Sequence, residues 1–197
     1  MEFMGLHLPG ASFVPPNTPL RTALTELATK RALEITSLGN CFTPAYKILD
    51  EKAFVNGIVG LMATGGSTNL VLHLPAMAKA AGIKIELGDF DDISSVTPLM
   101  AKIYPNGLAD VNHFHAAGGL NYMIAQLLEF GYLHNDVQTI MGLGLETYTK
   151  EPKLVDGKIE FVPSSTKSHN EKILRPVSDP FQKSGGIKRL DGNLGSS

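Results

Sequence analysis

Five residues, Gly65-Gly66-Ser67-Thr68-Asn69, stand directly ahead of an apolar helical pattern at Leu70, Leu74, Met77 and Ala81. The first turn of a helix carries unpaired N–H groups and the positive end of its dipole, so a carboxylate or phosphate can bind there. Glycines let a ligand approach the backbone, and Ser67, Thr68 and Asn69 add directional hydrogen bonds. A plain N-cap by Ser67 or Thr68, stabilising by about 1 kcal/mol, accounts for the same residues without a ligand. The stretch lacks the lysine of a P-loop and the spacing of a dinucleotide fingerprint, so neither nucleotide reading is supported.

A second constellation runs from Asp110 through Asn112, His113 and His115 into Ala116-Ala117-Gly118-Gly119. On an extended segment, His113 and His115 point the same way and could ligate a metal or exchange protons. Two histidines and one aspartate are few for a metal site, and a polar turn opening a helix explains them too. Both constellations carry a Gly-Gly turn, and in α/β folds such turns can collect at one sheet edge, where ligands bind. The remaining candidates have structural readings. His73, on the helical stripe, reads as a partly buried histidine. Asp89, Asp91 and Asp92 read as an acidic first helical turn rather than a cation cluster. Cys41 reads as an incidental loop thiol.

The elements that must position these residues are mostly helical. Thr18 with Pro19 opens one helix, running to about Thr36, and Asp50 caps a second, through Ala63. Gly57 and Gly60 weaken that helix by about 1 kcal/mol each, which makes sense where another backbone packs closely. Further helices are expected over Asp91–Ile103 and Gly119–Phe130, a short strand over Ile83–Leu87, and a hairpin about Asp156-Gly157. Alternating helices and short strands predict an α/β fold: helices layered around a mainly parallel sheet, part of which lies outside this chain.

Composition narrows the function classes. A net charge of −2 over 197 residues gives no general pull toward nucleic acid or an anionic membrane. No apolar run approaches the roughly 20 residues needed to span a bilayer. The opening MEFMGLHLPG has no signal-peptide pattern. Cys41 is the sole cysteine, which excludes an internal disulfide and a Cys-rich metal site. A cytoplasmic protein fits, and both ends read as cut, so an internal fragment is expected.

The segments MEFMGLHLPGASFV, GLMATGGSTNLVLHLPAMAKAAGI, IYPNGLADVNHFHAAGG and ILRPVSDPF…GGIKRLDGNLG closely resemble, in order and over essentially the whole chain, the dihydroxy-acid/phosphogluconate dehydratase family. The NHF before AAGG resembles the phosphogluconate branch. The resemblance implies an iron–sulfur hydro-lyase that dehydrates 6-phospho-D-gluconate to 2-dehydro-3-deoxy-6-phosphogluconate in the Entner–Doudoroff route. It also implies a homodimeric whole protein, with a divalent cation as a further cofactor. Ser67, Thr68, Asn69, Asn112 and His113 become substrate-side residues on this reading, and no catalytic residue is assigned. The family's cluster cysteines lie in motifs that nothing here matches, so no ligand role passes to Cys41. Residues 1–190 then correspond to the later part of an N-terminal α/β domain, incomplete here, and 191–197 to the start of a link to a β-barrel-like second domain. The isolated chain is expected to be inactive. A sugar-phosphate-binding module and a self-associating structural piece are the alternatives.

Overall fold

A computed structural model of the chain describes residues 1–193, 195 and 196; Leu194 and Ser197 of the expected 191–197 link lie outside the described residues. Seven α-helices are found among the described residues: α1 (Pro19–Glu34), α2 (Ala45–Ile48), α3 (Glu51–Thr64), α4 (Asn69–Ala80), α5 (Leu87–Val96), α6 (Val111–Ala116) and α7 (Gly119–Glu129). Local chemistry sets several boundaries as expected. Thr18 Oγ1 accepts the Arg21 N–H at 3.2 Å, with Pro19 at the first helical position. Asp50 Oδ1 accepts the Ala53 N–H at 2.8 Å, and Gly65 ends α3 in the left-handed region at φ 66°.

The central element is α3. One flank packs with Met100, Phe114, Met123, Leu127 and Tyr148, and the other with Met4, Leu74 and Phe90. Its two glycines answer to a close approach, though the neighbour is a pair of side chains rather than a backbone. A Cβ on Gly60 would lie 2.5 Å from the Phe3 ring, and one on Gly57 would lie 3.0 Å from Met4 Sδ. The 3-10 turn Glu2–Met4 therefore lies directly on α3. Its Glu2 carboxylate is buried and accepts the N–H groups of Gly10 at 2.8 Å and Ser12 at 2.9 Å. Asn56, also buried, exchanges two hydrogen bonds with the His134 backbone. By contrast α1 buries only Leu24, in a cluster with Leu8, Ala11 and Val14, while Arg21 donates to the Ala11 and Val14 carbonyls and Arg31 to the Ile140 carbonyl.

The mainly parallel sheet is not found among the described residues. Strands pair only as antiparallel ribbons: β1 (Gln138–Thr139) with β2 (Gly142–Leu143), β3 (Lys150–Val155) with β4 (Lys158–Pro163), and β5 (Asp191–Gly192) with β6 (Gly195–Ser196). The architecture is thus helices with small sheets. The expected strand over Ile83–Leu87 is instead an unpaired connection over residues 83–86, and Leu87 already opens α5. Glu86 already serves as the N-cap of α5 in a capping box with Asp89, while Ile83 and Ile85 pack against the Leu74–Phe90 side of the core. That helix ends at Val96 rather than Ile103, because Pro98 forces Thr97 into extended backbone. The β3–β4 hairpin forms as read, with Asp156 at φ 48° and Gly157 at φ 76°. No described helix is long and apolar enough to cross a membrane.

Two glycine substitutions test this packing in opposite directions. Gly60→Ala should destabilise by about 1–2 kcal/mol, since overpacking against a ring outweighs the gain in helix propensity. Gly88→Ala in α5, where the nearest atom would be 3.8 Å away on Arg189, should stabilise by up to about 1 kcal/mol. Urea midpoints of the two variants decide both.

Candidate functional site

The C-terminal carbonyls of α3 lack helical donors, and three separate segments supply them. Leu61 O accepts Gly66 N–H at 3.1 Å, and Met62 O accepts Gly65 at 3.2 Å and Gly186 at 3.1 Å. Ala63 O accepts Met100 at 2.8 Å and Ala101 at 3.2 Å. Asn106 then donates from Nδ2 to Gly65 O. A Cβ on Gly186 would fall 2.4 Å from Gly65 Cα, so this contact requires glycine. The turn at Gly65-Gly66 is therefore knotted to Gly185-Gly186 and to Asn106. The Gly118-Gly119 turn packs elsewhere, against Tyr122, Leu174 and His115.

From this knot the chain enters α4. Ser67 Oγ accepts the Asn69 N–H at 3.1 Å, so Ser67 makes the capping turn and Thr68 makes no side-chain cap. The Thr68 hydroxyl and Asn69 amide have no hydrogen-bond partner among the described residues, and both are exposed. His73 is exposed too, contrary to the partial burial expected, because α4 buries the adjacent stripe at Leu74 and Ala78.

Two hollows flank the knot. Thr68 and Asn69 line one of about 420 Å³, with Phe90, Asp91, Lys188 and Arg189. His113 lines another of about 830 Å³, with Lys102, Asn106, Asn170 and Lys172. Asn112 is exposed and lines neither. Of the five expected residues, Thr68 and Asn69 thus line one hollow and His113 the other, while Ser67 and Asn112 line neither.

The histidine pair is corrected by the structure. Asp110 caps α6, its Oδ1 accepting from Asn112 at 2.9 Å and His113 at 3.0 Å, so the segment is helical. Residues two apart on a helix diverge by about 200°. His113 is exposed, with Nδ1 2.9 Å from Asp110 Oδ1 and 3.4 Å from the Asp110 backbone N–H. His115 is half-buried, and desolvation pushes its pKa down. The Asp110 carboxyl is held below the usual carboxylate range, chiefly by the His113 N–H.

Charge distinguishes the hollows. In the smaller, Lys188 Nζ lies 2.7 Å from Asp91 Oδ1 and Arg189 pairs with Asp191 at 3.0 Å. Asp91 is thereby held low, first by the Lys188 hydrogen bond. Asp89 belongs to the α5 capping box, so the three aspartates do not form a cation site. In the larger hollow, neither Lys102 nor Lys172 has an ion-pair partner among the described residues.

The residues do not fit an iron–sulfur cluster. Cys41 is exposed, and no group of three or more His, Cys, Asp or Glu side chains among the described residues could hold a metal. Sequence reasoning missed Asn106 and Gly186, which shape the site, and the two lysines. Asn106 sits in a Pro-Asn-Gly sequence that reads simply as a helix stop.

Residues 1–148 match the family described as Dihydroxy-acid/6-phosphogluconate dehydratase N-terminal. The chain belongs to this family. It is 57 % identical over 198 residues to a phosphogluconate dehydratase of Rhizobium meliloti, covering 100 % of this chain and 33 % of that protein. Identity to the phosphogluconate dehydratase of Pseudomonas aeruginosa is 53 %, covering 99 % of this chain and 32 % of the relative. A dihydroxy-acid dehydratase of Sulfurisphaera tokodaii is 38 % identical, covering 98 % of this chain and 32 % of its own length. The chain spans about a third of the length of the curated relatives it matches. The dehydratase-family match includes the Gly65 turn, Asn106 and α6, while Lys172 and Gly185-Gly186 fall beyond it.

The Asp110 cap has a pH signature. A depressed folded pKa contributes stability above the unfolded carboxylate value, near 3.9, that is lost as pH falls through the folded value. Asp110→Ala should therefore lower the melting temperature clearly at pH 7 and progressively less toward pH 3. An equal deficit at both pH values would show that Asp110 contributes no charge effect.

Proposed function

We propose that the whole protein is a phosphogluconate dehydratase, a hydro-lyase that removes water from 6-phospho-D-gluconate to give 2-dehydro-3-deoxy-6-phosphogluconate in the Entner–Doudoroff route. The observation that carries this reading is the grading of identity: 57 % and 53 % to proteins of that name against 38 % to a dihydroxy-acid dehydratase, each over nearly the whole chain.

On this reading the present chain binds and orients the substrate. The Thr68 hydroxyl, Asn69 amide and Ser67 turn meet substrate oxygens on one side of the knot, with His113 and Asn112 on the other. These groups fit an anionic, polyhydroxylated acid, because they offer hydrogen bonds without a buried carboxylate opposing it. Residues 1–190 form the later part of an N-terminal α/β domain whose mainly parallel sheet is completed by other segments, and 191–197 lead toward a second domain. The whole protein is a cytoplasmic homodimer that carries an iron–sulfur cluster and a divalent cation on ligands outside this chain. It takes neither nucleic acid nor membrane as a partner.

Keto-acid formation by the full-length protein, purified without oxygen, tests this. Its kcat/KM should favour 6-phosphogluconate over a branched 2,3-dihydroxy acid by at least about 100-fold; the reverse preference would reject the assignment. Thr68→Val and Asn69→Ala should each raise KM for 6-phosphogluconate about tenfold. An unchanged KM in both returns the turn to a plain helix cap.

A further inference from the structure

Lys102 and Lys172 reach one groove from two segments that the backbone fixes side by side. Ala101 bridges Leu174 in antiparallel register, Lys102 N–H donates to Ile173 O at 2.8 Å, and Arg175 N–H donates to Met100 O at 2.8 Å. Ala63 O of α3 anchors this ladder by accepting Met100 and Ala101. Gly107 folds the following loop tightly back, since a Cβ there would lie 2.3 Å from the Lys102 carbonyl. Lys102 and Lys172 thus both line a hollow of about 830 Å³, with His113, Asn106 and Asn170, and Lys102 Nζ lies 5.8 Å from the centroid of the Phe181 ring.

Nothing among the described residues neutralises them through an ion pair. Asp110, the carboxylate beside His113, accepts two backbone N–H groups of α6 at Oδ1 and pairs with neither lysine. Like charges held on neighbouring backbone segments repel, and a bound polyanion reverses that sign. The smaller hollow lacks this property, because its Lys188 and Arg189 already have carboxylate partners.

We propose that the Lys102–Lys172 groove seats the phosphate of a phosphorylated sugar acid, with both Nζ groups donating to phosphate oxygens and the His113 ring on the groove wall. The acid end then runs across Asn106 toward the Gly65 turn, to which Asn106 is bonded. This inference rests on the functional reading above and goes further by assigning the phosphate end. Lysine suits the role as a compact point charge on a flexible stem, whereas a planar carboxylate favours an arginine fork.

Equilibrium binding to the full-length protein tests it, with 6-phosphogluconate, gluconate and inorganic phosphate as probes. Lys102→Gln and Lys172→Gln should each weaken 6-phosphogluconate binding about tenfold while leaving gluconate binding unchanged. Lys102→Arg and Lys172→Arg should retain most of the affinity, and phosphate should compete in the wild type but poorly in the Gln variants. Melting temperatures should stay constant, since both side chains are exposed. If 6-phosphogluconate and gluconate weaken together, or neither weakens, the phosphate assignment is overturned. If phosphate binding depends on both lysines but the protein does not dehydrate 6-phosphogluconate, the groove stands as an anion site and the functional reading falls.

Discussion

The end of α3 has more acceptors than its own helix can fill, and the candidate site is built from how they are filled. A helix leaves its last carbonyls without partners, and leaving them buried and unmade costs about 1–3 kcal/mol each. Here the donors come from the Gly65-Gly66 turn, from Met100 and Ala101, and from Gly186. Each donor segment then carries functional candidates away from the same point. The first leads into Ser67, Thr68 and Asn69, the second into Lys102 and Asn106, and the third into Lys188 and Arg189. The burial of α3 by Phe3 and Met4 over Gly57 and Gly60 keeps that end fixed.

Two hollows on either side of one knot differ in charge state rather than in lining chemistry alone. The side carrying Thr68 and Asn69 has its cations paired with Asp91 and Asp191. The side carrying Lys102, Lys172 and His113 has lysines without ion-pair partners among the described residues. On the proposed function, a substrate with a phosphate at one end and a carboxylate at the other would meet an asymmetric surface. Under that proposal orientation follows from electrostatics, with hydrogen bonding by the Thr68 hydroxyl and Asn69 amide refining it.

Features decided within a few residues were legible in the sequence. Thr18-Pro19, the Asp50 cap and the Asp156-Gly157 hairpin each follow from local backbone chemistry, whereas of the three aspartates expected in a first helical turn only Asp89 lies there. Family membership was legible as well, because whole motifs are retained in order. The histidine reading failed at one decision: an i, i+2 pair converges on a strand and diverges on a helix, and the Asp110 cap selects the helix. The apolar alternation at Ile83 and Ile85 looked like a strand because two residues inserted into a helical core give the same pattern. The knot itself was not legible, since the approach of Gly186 to Gly65 and of Lys172 to Lys102 depends on contacts remote in sequence. No local rule pairs them.

Hydrogen–deuterium exchange of the full-length protein, with and without saturating 6-phosphogluconate, tests most directly whether this knot organises the substrate-facing surface. Exchange should slow together in residues 65–71, 102–113 and 170–173, with α1 unaffected. Substrate binding that protects other segments while leaving all three of these unchanged would contradict the assignment.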